Sequence, residues 1–261
     1  ARSSYSVNKS METSMERLAS GKRINSAADD AANLAISTRI TAEIQGLKQS
    51  IKNAADAQSL LNVTEGALTE VHTILLRMRE LAVQSSNDTV RDQDRDMLQM
   101  EVAQLEAEIQ RISDDTTWSG MTLLAGGFST GATFQIGPRD TDTIQISIAA
   151  IDATNAAQLA LSSHVSTQSA AQDYIVTIDN AISKISEQRG KYGAVMNRLD
   201  HAMANMQNIV TNLSTAKGRL EDADFAAESA NLARTQVLQQ ASMAMLSQAN
   251  ASKQNILALF Q

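Results

Sequence analysis

The chain has 261 residues, of which 43% are hydrophobic, 3% are aromatic and one, Pro138, is proline. This apolar content excludes a disordered chain, and the single proline leaves room for very long helices. The absence of Cys excludes disulfides and thiolate sites, while a formal charge of −7 with interspersed signs argues against nucleic acid as a partner. No apolar run reaches the roughly 18 residues that a membrane span needs, and no signal peptide is visible.

The first residues carry a helical pattern with one apolar face over positions 3–20. The residues of that face are Val7, Met11, Met15 and Leu18. The segment is weakly hydrophobic and short of charge, so we expect a helix that needs a partner. Because the chain starts with Ala1, we also expect that its start is processed or truncated.

The strongest pattern predicts one long helix from about residue 30 to residue 86. Its apolar side chains recur at alternating steps of three and four, as in the a/d stripe of a heptad repeat. The stripe consists of Ala54, Ala57, Leu61, Thr64, Leu68, Val71, Leu75, Met78 and Ala82. At 1.5 Å per residue, such a helix would be roughly 85 Å long.

Two further stripes follow along the chain. The shorter one consists of Leu98, Val102, Leu105, Ile109 and Ile112. We expect its helix to start at Thr89, because Asp92 three residues later completes a capping-box pattern. The longer stripe begins at Ile175 and is interrupted by Arg189 and Lys217. Amphipathic helices of these lengths bury their stripes only against one another, which predicts a bundle that joins the two halves of the chain.

The middle of the chain changes its period from that of a helix to that of a strand. Polar and apolar side chains alternate over residues 133–137 and 143–148, and 138–142 has the composition of a turn. This pattern predicts a β-hairpin near 132–148. Residues 149–168, rich in Ala, Ser, Thr and Asn, are predicted to be a connector.

The last segment, residues 224–261, again combines apolar side chains with few charges. Its apolar residues include Leu232, Val237, Leu238, Met245, Leu246, Ile256, Leu257, Leu259 and Phe260. A monomer would struggle to bury such a segment. We therefore expect both ends of the chain to form helices that are covered by further copies of the same chain.

No pattern indicates a catalytic, metal or cofactor site. The three histidines, His72, His164 and His201, are too far apart in sequence to form a helical metal-binding pair. The glycine-rich segment 126–131 is followed by no lysine and opens no helix, which argues against a phosphate cradle. We therefore expect a protein that is not an enzyme and that binds neither a metal nor a cofactor.

Several strings resemble the two terminal signatures of bacterial flagellin. They are ERLASGKRINSAADDAA at 16–32, TEGAL at 64–68, MRELAVQS at 78–85, GAVMNRL at 193–199, EDADFA at 221–226 and LQQA at 238–241. The resemblance covers about 1–125 and 175–261, and it implies a short flagellin that lacks large outer domains. Flagellins usually begin earlier, so it also implies that the outset of the first helix is missing here.

The resemblance implies a mostly α fold, with long antiparallel helices forming a coiled-coil rod, a small β-hairpin region and a discontinuous terminal helical pair. An inner, channel-lining domain would comprise 1–30 and 221–261, and its apolar residues named above would be the assembly contacts. An outer rod domain would comprise 31–220. Between them, Ser26 with Asp29 fits the start of a helix.

By the same resemblance, the chain is a subunit that is exported unfolded and polymerises at the tip of the extracellular flagellar filament, which serves swimming motility. Implied partners are further copies of the chain, an export chaperone, the flagellar secretion apparatus, and hook-associated junction and cap proteins, but no membrane. An animal innate immune receptor is a further implied partner. Its implied contacts are Arg77, Leu81 and Glu108, which we also expect to serve lateral packing between subunits.

Two alternatives stay open at this point. A hook–filament junction protein would share much of the pattern, although the density of matching strings at both ends favours the filament subunit. A cytoplasmic signalling coiled coil of the chemoreceptor type would share the heptads, the alanines and the acidic balance. It should lack the hairpin and the flagellin strings.

Deletion of residues 256–261 tests the expectation that the apolar tail nucleates polymerisation. The shortened chain should keep a folded rod but form no filaments, because the segment that would join copies is missing. Circular dichroism measures the helical content of the rod, and electron microscopy detects the filaments. Filaments at normal yield would contradict the expectation.

Overall fold

The protein is described by a computed structural model that covers residues 2–151, 159–161 and 164–259, without the side chains of 2–4 and 250–259. Its helices are α1 (Arg2–Ser20), α2 (Ala31–Ser85), α3 (Asp92–Asp115), α4 (Gln168–Glu221) and α5 (Phe225–Leu259). Its strands are β1 (Thr117–Trp118), β2 (Met121–Thr122), β3 (Ala132–Gln135) and β4 (Thr143–Ile146). The mostly helical fold class is therefore confirmed.

The chain divides into two compact units, one of residues 1–45 with 209–261 and the other of residues 46–208. In the second unit, the predicted stripe of α2 forms the core. Every member of the stripe from Ala54 to Ala82 is almost completely buried. The polar member, Thr64, satisfies its hydroxyl by donating to the carbonyl of Leu60 at 2.9 Å.

Helix α4 runs antiparallel to α2 within the second unit. Arg79 of α2 bonds Asp179 at 2.7 Å, and Gln58 bonds Asp200 at 2.8 Å. As the position on α2 falls from 79 to 58, the position on α4 rises from 179 to 200, which fixes the antiparallel register. Arg189, which interrupts the predicted stripe of α4, lies between these pairs and bonds Glu65 at 2.7 Å.

Helix α2 begins at Ala31, close to the predicted residue 30, but the segment before it differs from the prediction. The predicted helix start at Ser26 is wrong: the Asp29 carboxylate accepts the backbone N–H groups of Asn25 and Ser26, which closes a turn instead. These bonds, with the one from Ser26 first, lower the pKa of Asp29. The cap of α2 is Asp30, whose side chain accepts the backbone N–H of Asn33 at 3.0 Å.

The predicted start of α3 at Thr89 is also wrong, because α3 begins at Asp92. The loop before it is held by Arg95, which is 6% exposed. Its guanidinium donates to the carbonyls of Ser85 and Asn87, both at 3.0 Å, and to Asp92 at 2.9 Å. Arg95 thereby satisfies carbonyls near the end of α2, where no helical partner exists.

Two hairpins complete the second unit. The predicted hairpin is confirmed as β3 and β4, which pair antiparallel. It lies against α2, where Asn53 donates to the carbonyl of Gln135 at 3.0 Å, and a Cβ at Gly46 would stand 3.3 Å from Cβ of Pro138. The pair β1 and β2 was not predicted; its two-residue turn puts Ser119 at φ 51° and Gly120 at φ 81°.

A partly buried ionisable pair joins α3 to α4. The Tyr174 hydroxyl donates to Glu106 at 2.7 Å, and Tyr174 is completely buried. Burial raises the pKa of Glu106, although its bond with Tyr174 opposes this shift. Burial, and then the bond to Glu106, also raises the pKa of Tyr174.

Replacement of Arg95 tests its role in the loop. Arg95→Ala should lower the free energy of unfolding by about 3 kcal/mol, because carbonyls that the guanidinium satisfies lose their donor. Urea denaturation followed by circular dichroism measures the change. Arg91→Ala, in the exposed N-cap position without a side-chain cap bond, is the matched control and should change little. Equal stability of both variants would contradict the role of Arg95.

Glu106→Gln tests the cost of ionising the half-buried carboxyl. Because the folded-state pKa is raised above the ordinary 4.5, the folded state binds the proton more tightly, so stability falls as pH rises through that range. Glutamine keeps an acceptor for Tyr174 and cannot ionise. The variant should match the wild type in melting temperature below the ordinary pKa and exceed it above.

Thermal melting over a series of pH values measures this difference. The exposed Glu70→Gln should leave the pH dependence unchanged and is the control. A melting temperature of Glu106→Gln that stays parallel to the wild type at every pH would contradict the prediction.

Candidate assembly surface

The first unit is built on the antiparallel pair α1 and α5, which joins the two ends of the chain. Gln239 of α5 donates to the side chain of Asn8 at 2.9 Å, and Arg17 of α1 donates to Glu228 at 3.3 Å. The position on α1 rises from 8 to 17 while that on α5 falls from 239 to 228. The pair is therefore antiparallel.

A short two-stranded link closes the same pair. Lys22 and Asp222 form an antiparallel β-bridge. The backbone of Gly21, at φ +70°, accepts the N–H of Ala223 at 3.0 Å. The Lys22 ammonium lies 3.2 Å from the Glu221 carboxylate, so the link is ionic as well as hydrogen-bonded.

Helix α5 leaves much of its apolar surface uncovered. Its start is capped by Asp224, which accepts the backbone N–H groups of Ala226 and Ala227. Beyond that cap, large apolar side chains are exposed. They are Phe225, Val237, Leu238, Met243, Met245 and Leu246. At 100° per residue these positions point in several directions around the helix, so one neighbouring helix cannot cover all of them.

The predicted assembly residues divide into three groups. Val7, Met11, Leu18 and Leu232 are half-buried, whereas Met15 is 45% exposed. The last members of the prediction cannot be placed: Ile256, Leu257 and Leu259 lie in α5 with side chains outside the described residues, and Phe260 lies outside them altogether. Their role in assembly stays a prediction. Sequence reasoning did not single out Phe225, Met243 or Tyr5, which are exposed on the same two helices.

The three predicted receptor or lateral contacts do not form one exposed cluster. Leu81 is 1% exposed, so its side chain packs in the core and is not presented on the surface of the subunit. Arg77 bonds Glu101 at 2.9 Å, and this bond is the main cause that raises the pKa of Arg77. Glu108 pairs with Arg111, which lowers the pKa of Glu108. Both ion pairs are exposed, and their contact role stays a prediction.

The described residues meet the requirements of neither a metal site nor a membrane-spanning helix. Among them, no group of three or more His, Asp or Glu side chains is arranged to hold a metal ion. No helix in the ranges that the structure covers is both long and apolar enough to cross a membrane. Among the described residues, α5 carries more exposed large apolar side chains than any other element.

Two family profiles match the sequence. The profile of the bacterial flagellin N-terminal helical region matches residues 1–129. The profile of the bacterial flagellin C-terminal helical region matches residues 175–260. The unmatched segment between them contains the β3–β4 hairpin and the connector.

Curated relatives match over nearly the whole chain. The flagellin of Halalkalibacterium halodurans is 42% identical over 96% of this chain and 92% of its own length. The flagellin of Bacillus subtilis is 37% identical over 98% of this chain and 94% of its own length. The flagellar filament 31.3 kDa core protein of Treponema maltophilum is 37% identical, over 95% and 91%.

Solved structures agree with these matches. The crystal structure of Bacillus cereus flagellin is 32% identical, with a TM-score of 0.53, and covers 64% of this chain and 94% of that one. A putative flagellar hook-associated protein from Vibrio parahaemolyticus has a TM-score of 0.64 over 74% of this chain and all of that one. Because it is only 17% identical, this second likeness concerns the fold alone.

Proposed function

The chain belongs to the bacterial flagellin family, and from that premise we propose how its copies assemble. It is a structural subunit of the extracellular flagellar filament, which serves motility, and it is not an enzyme. The hook–filament junction protein and the signalling coiled coil are not favoured, because the relatives that match over most of the chain are flagellins or filament core proteins.

We propose that the paired terminal helices are the inner, channel-lining domain, comprising residues 1–30 and 221–261, and that 31–220 form the outer rod domain. The observation that carries the proposal is the exposed apolar surface of α5, including Val237 at 65% and Met245 at 71% exposure. Burial of such side chains between copies is favourable in proportion to the area removed from water. A contact between different surfaces of successive copies does not close on itself and therefore gives an open helical polymer.

Export and the remaining partners belong to the same proposal. The chain would leave the cell unfolded through the flagellar secretion apparatus, accompanied before export by a flagellin chaperone, and would polymerise at the filament tip. Junction and cap proteins of the hook-associated class would contact the first and last subunits. The support is the family membership, together with the terminal helix α5, which has few charged residues and an exposed apolar surface.

We also propose that Arg77 and Glu108 lie at lateral contacts between rods, and that an animal innate immune receptor can bind the same side of the rod. Arg77 is exposed and the Glu108 side chain is partly exposed, which supports the proposal. Leu81 can take part only as a core residue that positions α2, because its side chain is buried.

Two charges on α5 test the assembly proposal. Val237→Glu/Leu238→Glu should abolish filament growth, because burial of unpaired carboxylates between copies costs several kcal/mol. The thermal unfolding of the monomer's rod should stay unchanged, since both side chains are exposed. Salt-induced polymerisation followed by electron microscopy measures the effect.

The matched control is Met97→Glu/Met121→Glu, which places the same two added charges at exposed apolar residues of α3 and β2. It should polymerise like the wild type. Normal filaments from the α5 variant, or an equal loss in the control, would argue against α5 as the main assembly surface.

A further inference from the structure

Helix α5 carries few charged residues. Its one arginine, Arg234, forms few hydrogen bonds with the rest of the described chain. Over residues 225–249 the charged residues are Glu228 and Arg234. Glu228 already accepts from Arg17 at 3.3 Å and from Asn231 at 3.4 Å. Arg234 is exposed, and the structure gives its guanidinium one long bond, to Asn231 at 3.4 Å.

Assembly changes the surroundings of this guanidinium. If further copies cover the exposed faces of α5, Arg234 loses water. Within the described residues it forms no ion pair, and the nearest carboxylate in its cleft, Glu228, is already bound by Arg17. A charge that is buried without a partner is strongly destabilising. The planar guanidinium is well suited to bind carboxylates through paired hydrogen bonds. An acidic group of a neighbouring copy near Arg234 would replace the water that assembly removes.

Helix α1 presents two such groups, Glu12 and Glu16. Both are exposed, and within the described residues neither forms an ion pair. They are four residues apart and therefore adjacent on the helix surface, where like charges repel. Ser14 and Arg17 of α1 line the cleft between α1 and α5, and Arg234 lines the same cleft from α5. A helix turns by 100° per residue, so Glu12 and Glu16 lie on the side of α1 that faces away from this cleft.

The register of the α1–α5 pair places Glu12 and Arg234 at similar positions along the axis of the pair. Position 8 of α1 stands opposite 239 of α5, and position 17 stands opposite 228. Arg234 therefore lies close to the level of Glu12, but across the subunit from it. Two copies packed side by side would bring the acidic face of one α1 to the edge of the other copy's α5. Lys9, one turn before Glu12, is also exposed and marks the end of this acidic face.

We infer that Glu12 and Glu16 of one copy bind Arg234 of a second copy in the filament, and that this contact fixes how neighbouring terminal pairs align. The inference rests on the proposed function, because it needs copies that pack through their terminal helices. The apolar contacts supply most of the attraction, whereas the ion pair selects one alignment, since a mismatched charge in an interface is costly.

Charge reversal tests the contact in the full-length chain. Glu12→Arg/Glu16→Arg and, separately, Arg234→Glu should each raise the monomer concentration needed for filament growth by roughly tenfold or more. The variant with all three changes should recover growth. The matched control combines Arg234→Glu with Asp56→Arg/Glu70→Arg, two exposed acids of α2, and has the same net charge as the combined variant. It should not recover.

Mixing distinguishes contact between copies from contact within one copy. An equal mixture of Glu12→Arg/Glu16→Arg with Arg234→Glu should polymerise where neither variant polymerises alone, because each provides the complement of the other. Pairing within one copy predicts no such gain. Sedimentation of filaments measures growth, and thermal melting of each monomer checks that the rod is folded.

The outcomes separate the inference from the function that it rests on. If the wild-type chain forms no filaments, the proposed function fails. If the wild type forms filaments and Arg234→Glu grows at the same concentration, the inference is overturned. It is also overturned if the combined variant grows no better than Arg234→Glu, or if the mixture shows no gain.

Discussion

The buried stripe of α2 is the surface on which the other elements of residues 46–208 are ordered. Its side chains are mostly alanine, leucine and methionine without rings, and they are almost fully removed from water between Ala54 and Ala82. Helix α4 packs along it in antiparallel register, and α3 is folded back beside it by Arg95. The β3–β4 hairpin touches the same helix at Gly46 and Asn53, which are one heptad apart. A change in the phase of this stripe would displace every one of these contacts.

Charged groups mainly set alignment in this unit. Arg189 occupies a position of the α4 stripe where an apolar residue is expected, and Glu65 of α2 neutralises it. One oxygen of Glu65 is buried without a hydrogen-bond partner, so the pair is not optimised for stability alone. Such a pair adds little net free energy once its desolvation is counted, but a shifted register would leave both charges unpaired. Burial of the apolar stripe supplies most of the favourable free energy of packing. The ion pairs make shifted alignments of the helices unfavourable.

The periodic spacing of apolar residues correctly predicted the long helix α2 and the β3–β4 hairpin. The heptad pattern predicted both ends of α2 to within one residue. The alternation of polar and apolar residues predicted β3 and β4. The helix start expected at Thr89 failed because Arg95, through bonds to carbonyls up to ten positions back, outweighs the local capping pattern. The β1–β2 pair is too short for a period, although Ser119-Gly120 after a tryptophan is a turn signal. On α5 the apolar residues have no common face, so the sequence could not say which of them a neighbour covers.

The pairing of α1 with α5 joins the most distant parts of the chain. Asn8 and Gln239 are 231 positions apart, and Arg17 and Glu228 are 211 apart. As the chain emerges from a ribosome or a narrow channel, α1 has no partner until nearly all of it has followed. The entropy of closing so large a loop grows only slowly with its length, but contacts of such separation form late. The α1–α5 pair therefore cannot form before the end of the chain is available, and any incomplete chain lacks it.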